Sequence, residues 1–172
     1  MSLVRAAIGV LVVTVALVVQ VSLFPQLHLA WEGIVPNLVL LVVVAAALTR
    51  GAQFAAVLGF AAGVLLDLAP PADHVAGRWA LALVVVGYVA GRVHQEQRPS
   101  ATTVVATVAV SSFVGTSVFA LTGLLLQDPL IEVGSLLQVI GVAVLWDVLL
   151  TPFVLPVLMG GFRRLEPDRV PA

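Results

Sequence analysis

Between residues 51 and 70 the chain reads Gly-Ala-Gln-Phe-Ala-Ala-Val-Leu-Gly-Phe-Ala-Ala-Gly-Val-Leu-Leu-Asp-Leu-Ala-Pro, apolar apart from Gln53 near one end and Asp67 near the other. As a helix closed by Pro70-Pro71, it places Gly51, Ala55, Gly59, Gly63 and Asp67 at four-residue intervals on one stripe. The first four are small enough for a second helix backbone to come close, which is how helices associate in lipid. The fifth is an acid on the same side. Facing lipid, an ionised Asp costs roughly 2.5–3.5 kcal/mol, so Asp67 is expected to face protein or water. The run is expected to be surrounded by other helices.

Composition turns this local reading into a global one. Of 172 residues, 61% are hydrophobic and 10% charged, against about 45–50% and about 25% in soluble domains. The fold class expected is an all-α integral membrane protein. Cysteine is absent, which removes disulfide and thiolate-metal chemistry. His28, His74 and His94 are scattered without metal-ligand spacing, and no cofactor motif occurs. A net charge of −1 gives nucleic-acid binding no electrostatic support.

Six apolar runs divide the chain: 6–24, 35–49, 51–69, 79–92, 101–126 and 133–160, followed by a short charged tail, 161–172. A basic residue before the first run is also how a secretory signal begins. Ser22-Leu-Phe-Pro25 is no small-residue cleavage site, so this run reads as a span. Pro36 fits the first turn of the second run, and Arg50-Gly51 reads as a tight turn into the third. The fourth run is short, and crosses only if Arg78 and Arg92 snorkel or the helix continues through them. With six spans and the N-terminus inside, Arg5, Arg50, Arg92, Arg98, Arg163, Arg164 and Arg169 fall on the cytoplasmic side and only Arg78 opposite. This positive-inside bias places both termini in the cytoplasm.

Asp67 and Asp147 are the only acids within apolar runs. Each reads either as an ion, proton or partner ligand, or as an internal polar group. Under the second reading Asp67 sits at a helix end in the headgroup zone, and Asp147 bonds to Thr151 or to a neighbouring helix. Pro152 and Pro156 remove two helix donors from the last run and are expected to kink it. Gly87 and Gly91 form a second GxxxG pair beside Gly59 and Gly63, and both pairs suit packing within the protein. Thr103, Thr107, Ser111 and Gly115 form a small polar stripe on the fifth run, without a nearby His or Lys base and without a GxSxG elbow.

Several stretches together resemble the bacterial rod shape-determining protein MreD family. These are Pro36-Asn37-Leu38, where the family typically has Pro-Asp-Leu; Gly59-Phe-Ala-Ala-Gly63-Val-Leu-Leu-Asp67-Leu; Gly87-Tyr-Val-Ala-Gly91-Arg92; and Asp147-Val-Leu-Leu-Thr151-Pro152-Phe-Val-Leu-Pro156. Asn37 replaces the usual acid, and Asp147 stands where the family commonly has an uncharged amide. The resemblance implies a six-helix fold similar to the substrate-binding subunits of energy-coupling-factor transporters. It also implies a non-enzymatic subunit of the cell-elongation machinery in the bacterial inner membrane. Such a subunit binds MreC and, through it, the actin-like MreB, the glycosyltransferase RodA and a class B penicillin-binding protein.

Two functions are therefore expected in order. The first is a scaffold that holds a partner's membrane helix, with Asp67, Asp147 and Asn37 as candidate partner-binding or buried polar groups. The helix-packing devices are Gly51, Ala55, Gly59, Gly63, Gly87 and Gly91, with Pro152 and Pro156 as kinks. The second is a vitamin-like small-molecule binding subunit of a transporter, which needs a polar pocket near Asp67, Asp73, His74 and Trp79.

Overall fold

A computed structural model describes residues 3–24, 34–70, 75–95, 99–128 and 133–164. Expectations that concern Trp31, Asp73, His74, Arg98 and the tail beyond residue 164 lie outside the described residues. Among those described are six α-helices: α1 (Leu3–Leu23), α2 (Leu38–Arg50), α3 (Ala52–Leu68), α4 (Arg78–Gly91), α5 (Ala101–Leu125) and α6 (Leu136–Arg164). Short 3-10 turns occupy Arg92–Gln95 and Val133–Ser135.

Among the described residues, α5 and α6, of 25 and 29 residues, are long and apolar enough to cross a membrane unaided. At 1.5 Å per residue they reach roughly 37 and 44 Å, beyond the roughly 30 Å hydrocarbon core. The outer surface is apolar on every side, with Leu11 and Val15 of α1, Phe60 of α3, Phe113 of α5, and Phe153 and Val157 of α6 exposed. A band of this kind is stable against lipid and unstable against water.

The helix at the centre is α2. Every residue from Leu38 to Thr49 is buried, and α2 touches each of the other five α-helices. The sequence pointed instead to the run at 51–69 as the surrounded helix. That helix, α3, buries only the face carrying Ala55, Leu58, Gly59, Ala62, Gly63, Leu66 and Asp67, and exposes Val57, Phe60 and Leu68. The reason is visible in composition: α2 has no stripe because all its faces are covered, and a helix apolar all round is a buried one. The outer helices each turn one stripe towards it. On α1 the stripe is Val13, Leu17, Gln20 and Phe24, and on α6 it is Asp147, Thr151, Leu155, Met159 and Phe162.

α3 and α4 run antiparallel in backbone contact. A Cβ built on Gly59 would lie 2.3 Å from the Leu83 carbonyl oxygen, and one on Gly63 2.3 Å from Ala80 Cα. Reciprocally, a Cβ on Gly87 would meet the Ala55 oxygen at 2.4 Å and one on Gly91 would meet Ala52 Cα at 2.2 Å. The two GxxxG pairs thus face each other's helix. Gly51 has a different part: with φ 82° it forms the turn between α2 and α3, and its N–H closes α2 on Ala47 O at 3.0 Å.

Two expected details differ. α2 starts two residues after Pro36, with Asn37 as its N-cap, so the proline precedes the helix. Arg78 is the first residue of α4 and is buried, which departs from snorkelling, one of the two alternatives for it, while the other, a helix that includes it, is what is found. α6 is helical without interruption through Pro152 and Pro156, so the carbonyls of Val148 and Pro152 have no i+4 donor.

The close approach makes a direct prediction. Gly63→Leu must push α3 from α4, and the expected loss is of the order of 3 kcal/mol or more, the upper range for overpacking. Gly141→Ala, where an added Cβ meets nothing within 4 Å, serves as the control. Melting in mild detergent should separate the two; equal melting temperatures would sink this packing account.

Candidate functional site

The first turn of a helix leaves backbone N–H groups without intrahelical acceptors. In α2 that turn lies inside the bundle, and two other helices and its own N-cap residue supply what it lacks. The Asn37 N–H donates to Asp147 Oδ1 of α6 at 2.8 Å, the Val39 N–H to Gln20 Oε1 of α1 at 3.3 Å, and the Leu40 N–H to the Asn37 side chain at 3.0 Å. From α5, the Ser112 hydroxyl donates to the second Asp147 oxygen at 2.7 Å. Thr151 is bonded too, but through the Asp147 backbone carbonyl at 2.7 Å. An acid at a helix N-terminus also meets the positive end of the helix dipole.

The same three positions of α4 are served in one stroke. Asp67 Oδ2 accepts from the Gly77 N–H at 2.8 Å and the Ala80 N–H at 3.1 Å, and Oδ1 accepts from the Trp79 N–H at 3.1 Å. Gly77, at φ 101°, has no side chain to do this itself. Asp67 is 3% exposed, so any contact with a partner would compete with this cap.

Next to that cap lies a second polar group. Arg78 reaches across to α5, donating through Nη2 to Phe119 O at 2.9 Å and pairing with Asp128. Its guanidinium lies 3.9 Å from the Phe119 ring centroid, and Trp79 stacks on the same ring at 4.4 Å. Arg50 does comparable work at the other end, donating to Phe162 O at 2.9 Å and so joining the ends of α2 and α6.

Asp67, Asp147 and Asn37 therefore occupy two separate places, with Asn37 and Asp147 together and Asp67 apart. Gln20, Ser112 and Asp128 completed these clusters without being singled out from the sequence. The available signal was physical: a polar group within an apolar run needs a partner at the same depth. Among the described residues no group of His, Asp and Glu could hold a metal ion. Trp79 is engaged in stacking, and the lateral grooves between α4 and α5, between α5 and α6, and along α1 beside α2 and α6 are lined mostly by apolar atoms.

One groove, of about 370 Å³, lies between α4 and α5 and is lined by Val89, Ala90, Thr103, Ala106, Thr107 and Ser111, among others. Thr107 returns its hydroxyl to Thr103 O at 2.7 Å. Ser111 is fully buried, and its Oγ has no hydrogen-bond partner.

The cap at α2 yields an exchange test. Asp147→Ala leaves the Asn37 N–H and Ser112 hydroxyl without their acceptor, an expected loss of about 1–3 kcal/mol for each. Asn37→Asp puts two acids side by side and should also destabilise. Asn37→Asp combined with Asp147→Asn restores one acid and one amide, and should recover most of the melting temperature. A double variant no better than the worse single one would show that the two residues do not act as a pair.

A family model described as rod shape-determining protein MreD matches residues 1–159. The searches of curated proteins and of solved structures found no match. The match covers all but the last thirteen or so residues of a chain whose apolar exterior and two long apolar helices already mark a membrane protein, and the chain belongs to the MreD family, whose role is rod shape determination.

Proposed function

We propose that the protein is a non-enzymatic scaffold of the cell-elongation complex in the bacterial inner membrane. In this reading all six helices span and both termini are cytoplasmic. It holds the membrane helix of an MreC-like protein and, through it, connects to MreB, RodA and a class B penicillin-binding protein in lateral peptidoglycan synthesis. The shorter α2, α3 and α4 need not match the bilayer individually, because α2 is sheathed by protein and the start of α4 is capped by Asp67. Irregular backbone at membrane depth is tolerated where protein covers it.

The observation that supports this reading is the α4–α5 groove. It offers small side chains for close approach and one buried hydroxyl, Ser111, that lacks a partner. A partner helix with a polar residue at the matching height would supply one, an exchange typical of helix association in lipid. Asp67, Asp147, Gln20 and Asn37 are instead bonded to helix starts, where they hold the fold.

The experiment is affinity purification of the tagged protein from its native membrane in mild detergent, with mass spectrometry of what is retained. MreC-like and penicillin-binding proteins at near-stoichiometric levels are the expected result. Ala106→Phe, which fills the groove from its exposed side, should lower that recovery several-fold at unchanged abundance. Undiminished recovery would place the contact elsewhere, and capture of ATPase subunits or a vitamin-sized molecule would favour the transporter reading.

A further inference from the structure

A second groove, of about 440 Å³, runs between the first half of α5 and the last half of α6. Its walls are Val104 and Val105 on one side and Pro152, Leu155, Pro156 and Met159 on the other. Unlike the α4–α5 groove it offers no free hydroxyl, since Thr151 is committed to the Asp147 carbonyl. At one end it closes on Arg163, which is exposed and makes no hydrogen bond or ion pair with any described residue. The start of α5 lies across from it, with Ser100 as N-cap, so the positive end of a helix dipole faces the same mouth.

This is the end of the bundle where Arg50, Arg92, Arg163 and Arg164 gather, beside the ends of α2, α4 and α6. In a membrane it lies at headgroup depth. An apolar slot open to the bilayer, with positive charge on both sides of its interfacial mouth, matches one occupant in shape and charge. We propose that the α5–α6 groove binds an anionic phospholipid, with an acyl chain along Val105, Pro152 and Pro156 and its phosphate at Arg163 and the start of α5. Basic pockets between membrane helices recognise anionic headgroups in this way. Between its mouth and its far end the slot presents no unpaired side-chain donor, which favours a lipid chain over a partner helix. The site is independent of the scaffold reading.

Gly160 provides a clean test, because it lines the groove and a Cβ there meets nothing within 4 Å. Gly160→Leu therefore adds bulk to the slot from a position where the first added carbon meets no protein atom, and it replaces a poor helix former with a good one. Purified protein in maltoside would be titrated with dioleoyl-phosphatidylglycerol or dioleoyl-phosphatidylcholine and the bound lipid counted by native mass spectrometry. The expected result is one preferentially retained phosphatidylglycerol. Arg163→Gln should reduce that preference about fivefold, the factor for one basic residue near an anionic surface. Gly160→Leu should lower retention of both lipids while the melting temperature holds or rises. Equal retention of the two lipids by the unaltered protein would overturn the proposal. So would unchanged retention in both variants, or a protein captured in place of lipid by a photocrosslinker at Val105.

Discussion

Asp147 meets the start of α2 eleven residues into α6, which puts that helix start roughly 16 Å below the tip of its neighbour. Within a hydrocarbon layer, each first-turn N–H left unmet at such depth costs several kcal/mol. The rest of the architecture follows from meeting them. Gln20 must come from α1, Asp147 from α6 and Ser112 from α5, so the three helices are fixed in rotation and height around α2. Apolar contact alone does not achieve this in lipid, where chain and solvent are equally apolar and packing has no hydrophobic drive. Hydrogen bonds with a defined depth do.

The second device works through absence of side chains. α3 and α4 lie close enough that Gly59, Gly63, Gly87 and Gly91 leave no room for a Cβ, and the gain is dispersion and weak Cα–H contacts over a long seam. Asp67 then fixes the register of that seam, because its oxygens reach the start of α4 only when α3 ends beside it. Packing sets the distance and the acid sets the height. The same division holds on the other side of the bundle, where α5 presents Thr107, Ser111, Ser112, Gly115 and Thr116 inward and Ser112 finds the acid.

Much of this was legible in the residues, and the misses have physical causes. Apolar runs interrupted by Arg and Pro give the six helices nearly end to end, since polar side chains mark the surfaces of a membrane. Spacing of four marks Gly59 and Gly63 as contact residues, but not against which helix, because any backbone satisfies a missing side chain. The central helix was misplaced for a related reason. A stripe reveals a helix with two kinds of neighbour, and α2, buried from Leu38 to Thr49, has only one kind. Arg78 escaped because a cation next to a short run reads as an interfacial residue until Phe119 and Asp128 are seen beside it.

Where polar groups are spent inside a membrane protein decides what its surface can do. Asp67, Asp147, Gln20 and Asn37 are all bonded to helix starts, and Thr107 and Thr151 to carbonyls of their own helices. Among the described residues, Trp146 Nε1 and Arg50 Nε are buried without a partner, and two further groups with capacity line lateral grooves: Ser111 beside α4, and Arg163 at the mouth of the α5–α6 slot. One calls for a hydrogen bond within the hydrocarbon and the other for a negative charge at its edge. As proposed, a partner helix and a lipid meet those two demands on separate faces.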